Sequence, residues 1–397
     1  MDDLNTFKLA TREWLEANCP VSQRQPIVKE EQIWAGKHRQ FPNADAQLWF
    51  ERMRDKGWTA PTWPKEYGGG GLSAEEARIL EKEMARLRCR PPLYDLGLWM
   101  LGPALLAFGT EEQKQQHIPK IVRGEVRWAQ GYSEPSAGSD LASLKTRAEH
   151  KGDHFLVNGT KIWTTQADKA DWIFTLVRTE PNAPKQQGIS FLLIDMESEG
   201  VSTTPIKLIS GDSEFCQTFF DDVKVPMENL IGGLNNGWSV AKELLKHERK
   251  LMSNMESIVQ QEDVSVVDLA KDIIGLDDNG KLRDATLRDR LAVNRMNASA
   301  LEHLGERIFF EGKAGIRDSH LPMLIKVLGT RELQTKDELL LSILGNGGLS
   351  FDDPALSASE RAIVTNWAYD KAHTIAGGTS EIQLNIIAKR ALGLPSA

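Results

Sequence analysis

Apolar and polar residues alternate along this chain with two periods, and the changes of period divide it in three. In "SAEEARILEKEMARLR" the apolar Ala77, Leu80, Met84 and Leu87 recur at helical spacing. Ser73 precedes the run and Glu76 follows three residues on, which predicts an N-cap and a capping box. "GTEEQKQQHIPKIVRGE" opens in the same way, with Thr110 as the cap and Glu111 and Glu112 in a first turn that favours anions. Between such helices, "WPKEYGGGGLS" (63–73) is too rich in glycine for a helix and reads as a loop.

From about residue 128 the period shortens. "HFLVNGTKIWTT" reads as two short strands joined at Asn158-Gly159, a strong hairpin signal. "DWIFTLVRT", "GISFLLIDM", "GVSTTPIKLI" and "CQTFFDDVKVP" follow as further strands bounded by turn residues. After "IGGLNNGW" the helical period returns and persists. The expected fold is therefore mainly α with a central β domain: helices over 1–127, a β block over 128–237 and helices over 238–397. "LDDNGKLRD" (276–284) reads as a helix-to-helix loop, since it lacks the acidic spacing and closing Glu of a calcium loop.

Composition narrows the function classes. The 397 residues are 41% hydrophobic and 26% charged, as in an ordinary soluble globular protein. A formal charge of −8 argues against a nucleic-acid binder, which needs a basic face. Cys19, Cys89 and Cys216 are too few and too scattered for a disulfide framework or a zinc site, so no metal is expected. The N-terminus has no signal-peptide core and no window is apolar enough to span a membrane; a cytoplasmic location is expected.

Three segments bear candidate chemistry. "WAQGYSEPSAGSDLASLKTRA" clusters Ser133, Ser136, Gly138 and Ser139 where the helices hand over to the β block, and such a run can turn amides and hydroxyls toward a polar ligand. By itself it reads more simply as a connecting loop. In "IWTTQ" (162–166), Trp163 could cover a ring and Thr164 and Thr165 could bond its polar edge, although a half-buried strand tryptophan is the commoner case. "VAKELLKHERKLMSNM" (240–255) sets Val240, Leu244, Leu251 and Met255 along one helical side. Glu248 lies on or beside that side. A carboxylate facing an apolar cavity acquires a raised pKa and can act as a general base, whereas the plainer reading is a solvated glutamate. "HTIAGGTSEIQ" (373–383) adds a glycine pair that suits a close backbone approach.

Taken together and in this order, "GWTAPTWPKEYGGGG", "FGTEEQKQQHIPKIVRGE", "GYSEPSAGSDLASLKTRAE", "NGTKIWTT", "FFDDVKVPMENLIGGLNNGW" and "GGTSEIQLNIIAKRALGLP" resemble the acyl-CoA dehydrogenase family from about residue 57 onward. "QGYSEPSAGSDLASLKTRAEHKGD" and "ADWIFTLVRTEPNAPKQQGISFLLIDM" are similar to large subunits of bacterial two-subunit members such as pimeloyl-CoA dehydrogenases. The resemblance implies an N-terminal helical domain, a middle β-barrel-like domain and a C-terminal four-helix bundle. It also implies FAD, an acyl-CoA substrate oxidised to the trans-2,3-enoyl-CoA, and an electron-transfer flavoprotein as acceptor. The assembly would be a homodimer or tetramer, or a heteromer with a second subunit of the family. The acyl group stays open.

Residue by residue, the resemblance assigns FAD contacts to Gln130, Tyr132, Ser133, Gly138 and Ser139, to Trp163, Thr164 and Thr165, and to Gly378, Thr379 and Glu381. Ser139, Arg249 and Gly377 fall at positions implied to meet substrate. Family members carry the base either just before the Gly-Thr of the C-terminal motif or on the helix after the β domain, before an Arg. The first position here is Gly377 and the second is Glu248-Arg249, so Glu248 is the expected base. Two departures bear on the partner: the Arg-x-x-Phe-Gly motif survives only as Lys271, Ile274 and Gly275, and Ser342 replaces an expected glutamine. A non-catalytic subunit and a flavin oxidase are the competing readings.

Overall fold

The structure, a computed structural model, describes residues 2–27, 29–253, 265–316, 320–351 and 353–395, without the side chains of residues 2, 29 and 248–253. Helices α1 (Asp2–Asn18), α2 (Ala44–Asp55), α3 (Ala74–Arg86), α4 (Gly102–Phe108) and α5 (Glu111–Val122) come first. The predicted caps form. Ser73 Oγ accepts the Glu76 amide at 3.2 Å while Ser73 N donates to Glu76 Oε2 at 2.8 Å. Thr110 closes a second box, with Gln113 as its partner. The Gln113 side chain then donates to the carbonyls of Glu228 and Leu230, tying α5 to the β block.

Strands β1 (Trp128–Gly131), β2 (Arg147–His150), β3 (His154–Thr165), β4 (Trp172–Arg178), β5 (Ile189–Asp195), β6 (Val201–Ile206), β7 (Phe215–Pro226) and β8 (Leu230–Ile231) form one sheet. Its order is β6-β7-β3-β2-β4-β5-β8, with β1 parallel to β4. The expected hairpin at Asn158-Gly159 does not exist: β3 runs unbroken through it. The pair instead marks a register shift against β7. Asn158 exchanges two hydrogen bonds with Asp222 across the sheet, and a β-carbon on Gly159 would stand 2.6 Å from Thr146 Cα. The extra residue lies on β7, where Asp221 and Asp222 oppose Asn158 alone. The dipeptide that makes tight turns faces that bulge and permits a close approach, because cross-strand contacts outweigh local turn preference.

The chain divides into two compact units. The first comprises Met1–Ile206 and Ser213–Leu251, so the early helices and the β block belong together. One core explains this: Leu101, Leu105 and Ile118 from the helices bury against Phe174, Phe191 and Ile231 of the sheet. Val240, Ala241 and Leu244 of α6 (Gly237–Ser253) join the same core. The second unit is helical, with α7 (Val266–Ile274), α8 (Ala285–Lys313), α9 (Pro322–Leu344), α10 (Ala358–Asp370) and α11 (Ser380–Arg390) around Ala270, Leu339, Ile343, Ile363 and Val364. Among the described residues no helix is long and apolar enough to cross a membrane.

Candidate functional site

In the first unit the candidate residues gather at the end of β1 and the adjoining end of β3. Gln130 and Gly131 close β1, and the loop carrying Tyr132 to Ser139 follows. Ile162 N donates to Ser133 O at 2.9 Å, laying that loop along β3. Gly138 and Ser139 are exposed, and open space surrounds the position a Gly138 β-carbon would take.

Strand β3 breaks its alternation here. Lys161 is fully buried, yet two residues on Trp163 is 52% exposed and Thr164 is buried. A second register shift against β7, between Lys161 and Thr164, causes the reversal. Trp163 sits at its centre in the left-handed region, φ 61°. One extra residue flips every later side chain to the opposite face. The indole touches the Phe215 ring edge-on at 6.1 Å and otherwise presents its surface outward. Non-glycine residues in this conformation are uncommon and cluster at functional sites.

Two sequence expectations are corrected by these contacts. The Thr164 hydroxyl is committed within the sheet, donating to Cys216 O and bonded to Thr218 Oγ1, each at 2.8 Å. It is not presented to a cofactor. The Tyr132 ring points into the core, edge-on to Phe174 and Phe191, so it is not presented to a cofactor at the loop surface. Thr165 and Ser133 remain half-buried at the surface.

Beneath the loop lies a group that the sequence reading passed over. Lys161 Nζ is 2.8 Å from Glu134 Oε1 and donates to Tyr132 O at 3.2 Å. The same carboxylate accepts the amides of Lys145 at 2.6 Å and Thr146 at 2.8 Å. Burial lowers the Lys161 ammonium to about 8 despite the opposing charge of Glu134. For Glu134, burial works upward, but the Lys161 charge and the amide donors outweigh it and hold the carboxyl below the usual range. A lysine on the inward face of an amphipathic strand, in line with Phe155 and Val157, was the available signal.

In the second unit, Gly377 and Gly378 adopt φ 63° and 91°, within the left-handed region that glycine tolerates. Lys326 Nζ donates to Gly378 O at 2.7 Å, fixing the glycine pair. Thr379 is the N-cap of α11, accepting the Ile382 amide at 3.2 Å. Glu381 lies exposed in the first turn, where its own amide, Thr379 and Lys326 hold its carboxyl low. Glu248 and Arg249 belong to α6, but their side chains lie outside the described residues. Lys271 and Ile274 are on α7, which Gly275 ends at φ 79°, and Ser342 Oγ accepts from Arg290 at 3.2 Å.

Residues 7–125, 129–223 and 235–392 match the acyl-CoA dehydrogenase N-terminal, middle and C-terminal domain families in turn. The chain is 34% identical over 396 residues to acyl-CoA dehydrogenase IpdE1 of Mycobacterium tuberculosis, covering 100% of this chain and 99% of that one. Among solved structures it is similar to the Tcur3481-Tcur3483 steroid ACAD, with a TM-score of 0.77, 29% identity and 100% and 99% of the two chains covered. It is also similar to the ChsE4-ChsE5 complex of M. tuberculosis, with a TM-score of 0.75, 28% identity and the same coverage. The chain belongs to the acyl-CoA dehydrogenase family. It is an FAD-dependent oxidoreductase of that class.

Proposed function

We propose that this chain removes the α and β hydrogens of an acyl-CoA thioester to give the trans-2,3-enoyl-CoA, with Glu248 taking the α-proton. The observation that carries this reading is the pairing of Gly377 with Glu248. The position where a carboxylate would precede the Gly-Thr is a glycine in the left-handed region, where a glutamate would be strained. The sequence carries a carboxylate instead at Glu248, on α6. Such a base contributes about 10²- to 10⁴-fold to proton abstraction.

The donor set suits FAD. An outward-facing indole at the β3 bulge offers a flat apolar surface, and the adjoining loop offers exposed hydroxyls and a glycine with open space around it. Ser133, Gly138, Ser139, Trp163 and Thr165 would hold the cofactor, and Gly378, Thr379 and Glu381 are further contacts that the family resemblance implies. When bound, FAD supplies the acceptor for the β-hydrogen, which leaves as hydride. The chain's own task is to orient the thioester, exclude water and hold the proton on Glu248; the Gly377 amide and Arg249 would face substrate. Electrons would pass on to an electron-transfer flavoprotein.

Similarity to a steroid ACAD and to a two-name complex supports a bulky, ring-bearing acyl group and a heteromer with a second subunit of the family. The degenerate Lys271–Gly275 segment and Ser342 favour that assembly. The test is anaerobic flavin bleaching by straight, branched, dicarboxylic and ring-bearing acyl-CoA thioesters, using the unaltered chain and Glu248→Gln in the assembled enzyme. Bleaching by one class, lost in Glu248→Gln, is expected. A colourless chain, together with an unchanged rate in Glu248→Gln, would select the non-catalytic subunit.

A further inference from the structure

We propose that Lys161 and Glu134 are positioning residues for the cofactor loop, setting the peptide planes of Tyr132 and Ser133 that face FAD. The inference rests on FAD binding at this loop. Two successive loop carbonyls are held by two successive residues of β3: Tyr132 O by Lys161 Nζ at 3.2 Å and Ser133 O by Ile162 N at 2.9 Å. A trans peptide points its N–H opposite to its C=O, so holding Tyr132 O against Lys161 turns the Ser133 N–H away from the strand. Rotation of that plane would redirect the donor.

Glu134 extends the clamp in the other direction. Besides Lys161, its carboxylate binds the amides of Lys145 and Thr146, which lead into β2. Its own backbone exchanges both hydrogen bonds with Ala137, at 3.0 Å each, closing the turn that presents Gly138 and Ser139. One buried carboxylate therefore joins the cofactor loop, the start of β2 and the strand that carries Trp163 and Thr165. Glu134 is 6% exposed and Lys161 is fully buried, so solvent offers no substitute partner to either.

A buried ion pair is weak evidence of stability, since well-packed apolar residues of similar volume often replace one without loss. That property separates positioning from folding. In Lys161→Met/Glu134→Leu no charge is left unpaired, but Tyr132 O and the two amides lose their partners. The measurement is the FAD dissociation constant of the full chain, by fluorescence titration, with the visible flavin spectrum and the thermal midpoint of the apoprotein recorded alongside. We expect a rise of about 10- to 100-fold in the double variant, the equivalent of one or two charge-assisted hydrogen bonds, larger than the accompanying fall in apoprotein midpoint from the orphaned backbone groups accounts for.

Glu134→Gln provides a second, isosteric probe that keeps the volume but sets one amide donor against another. It should raise the constant about tenfold and broaden the visible bands. Wild-type FAD affinity and spectrum in both variants would overturn the clamp while leaving the cofactor reading intact. FAD loss fully matched by a fall in apoprotein midpoint in both would also overturn it, since the pair would then be structural. An unaltered chain that binds no FAD would sink both readings at once.

Discussion

A β-carbon on Gly159 would lie 2.6 Å from the Cα of Thr146 and equally close to its Oγ1. The residue that leads into β2 thus abuts the neighbouring strand β3 at a contact that only glycine permits, and Gly159 holds φ 150° there. Gly159→Ala is expected to destabilise the first unit by about 3 kcal/mol, through strain and overpacking together. Because Thr146 also donates to Glu134, the cofactor loop should loosen with it. Chemical denaturation of the apoprotein checks the first effect and FAD titration the second.

Trp163 predicts the opposite balance. Its ring is half exposed and its backbone is left-handed, so it contributes little packing and carries strain. Trp163→Asn, a residue that tolerates this conformation, should leave the thermal midpoint unchanged or slightly raised. FAD affinity should fall about three- to tenfold with the loss of the aromatic surface. A midpoint drop larger than that of Gly159→Ala would contradict this assignment.

Asp337 is buried in the second unit beside Asp370, whose Oδ1 is 3.1 Å from His373 Nε2. Burial, with the charge of Asp370 adding to it, pushes the Asp337 carboxyl up to about 8. A carboxyl raised in the fold contributes stability that is fully present below its unfolded value of 3.8 and is lost as pH rises through about 8. The chain should therefore lose up to ~1 kcal/mol per pH unit across that window. Asp337→Asn should flatten the dependence, as read from thermal midpoints between pH 5 and pH 8.

Glu83 behaves in the reverse sense. It accepts a two-pronged pair from Arg12 at 2.9 and 3.0 Å and a third bond from Arg86 at 2.7 Å, joining α1 to α3. The Arg12 hydrogen bond chiefly lowers its carboxyl to about 2. The stability it brings is present above the unfolded value of 4.5 and disappears as pH falls through about 2. Glu83→Gln should cost about 1–2 kcal/mol at neutral pH, a moderate figure because both guanidinium groups can rehydrate. The same variant should show a shallower decline in acid.

Local chemistry made much of this chain legible from residues alone. The caps at Ser73 and Thr110, the strands after residue 128 and the return of helix at α6 depend on neighbours within a turn or along one strand. The family motifs were equally visible, as was the glycine that occupies position 377. What tertiary structure alone decided lies across strands. Asn158-Gly159 stayed within β3, opposite a bulge in β7, because Asp222 and Thr146 claim it from either side. A shift of register, not composition, sent Trp163 outward and Thr164 inward. Lys161 found its partner 27 residues earlier in the chain, where no periodicity could have pointed. Sequence fixes preferences over a few residues; long-range packing chooses which face each side chain shows and which charges are buried together.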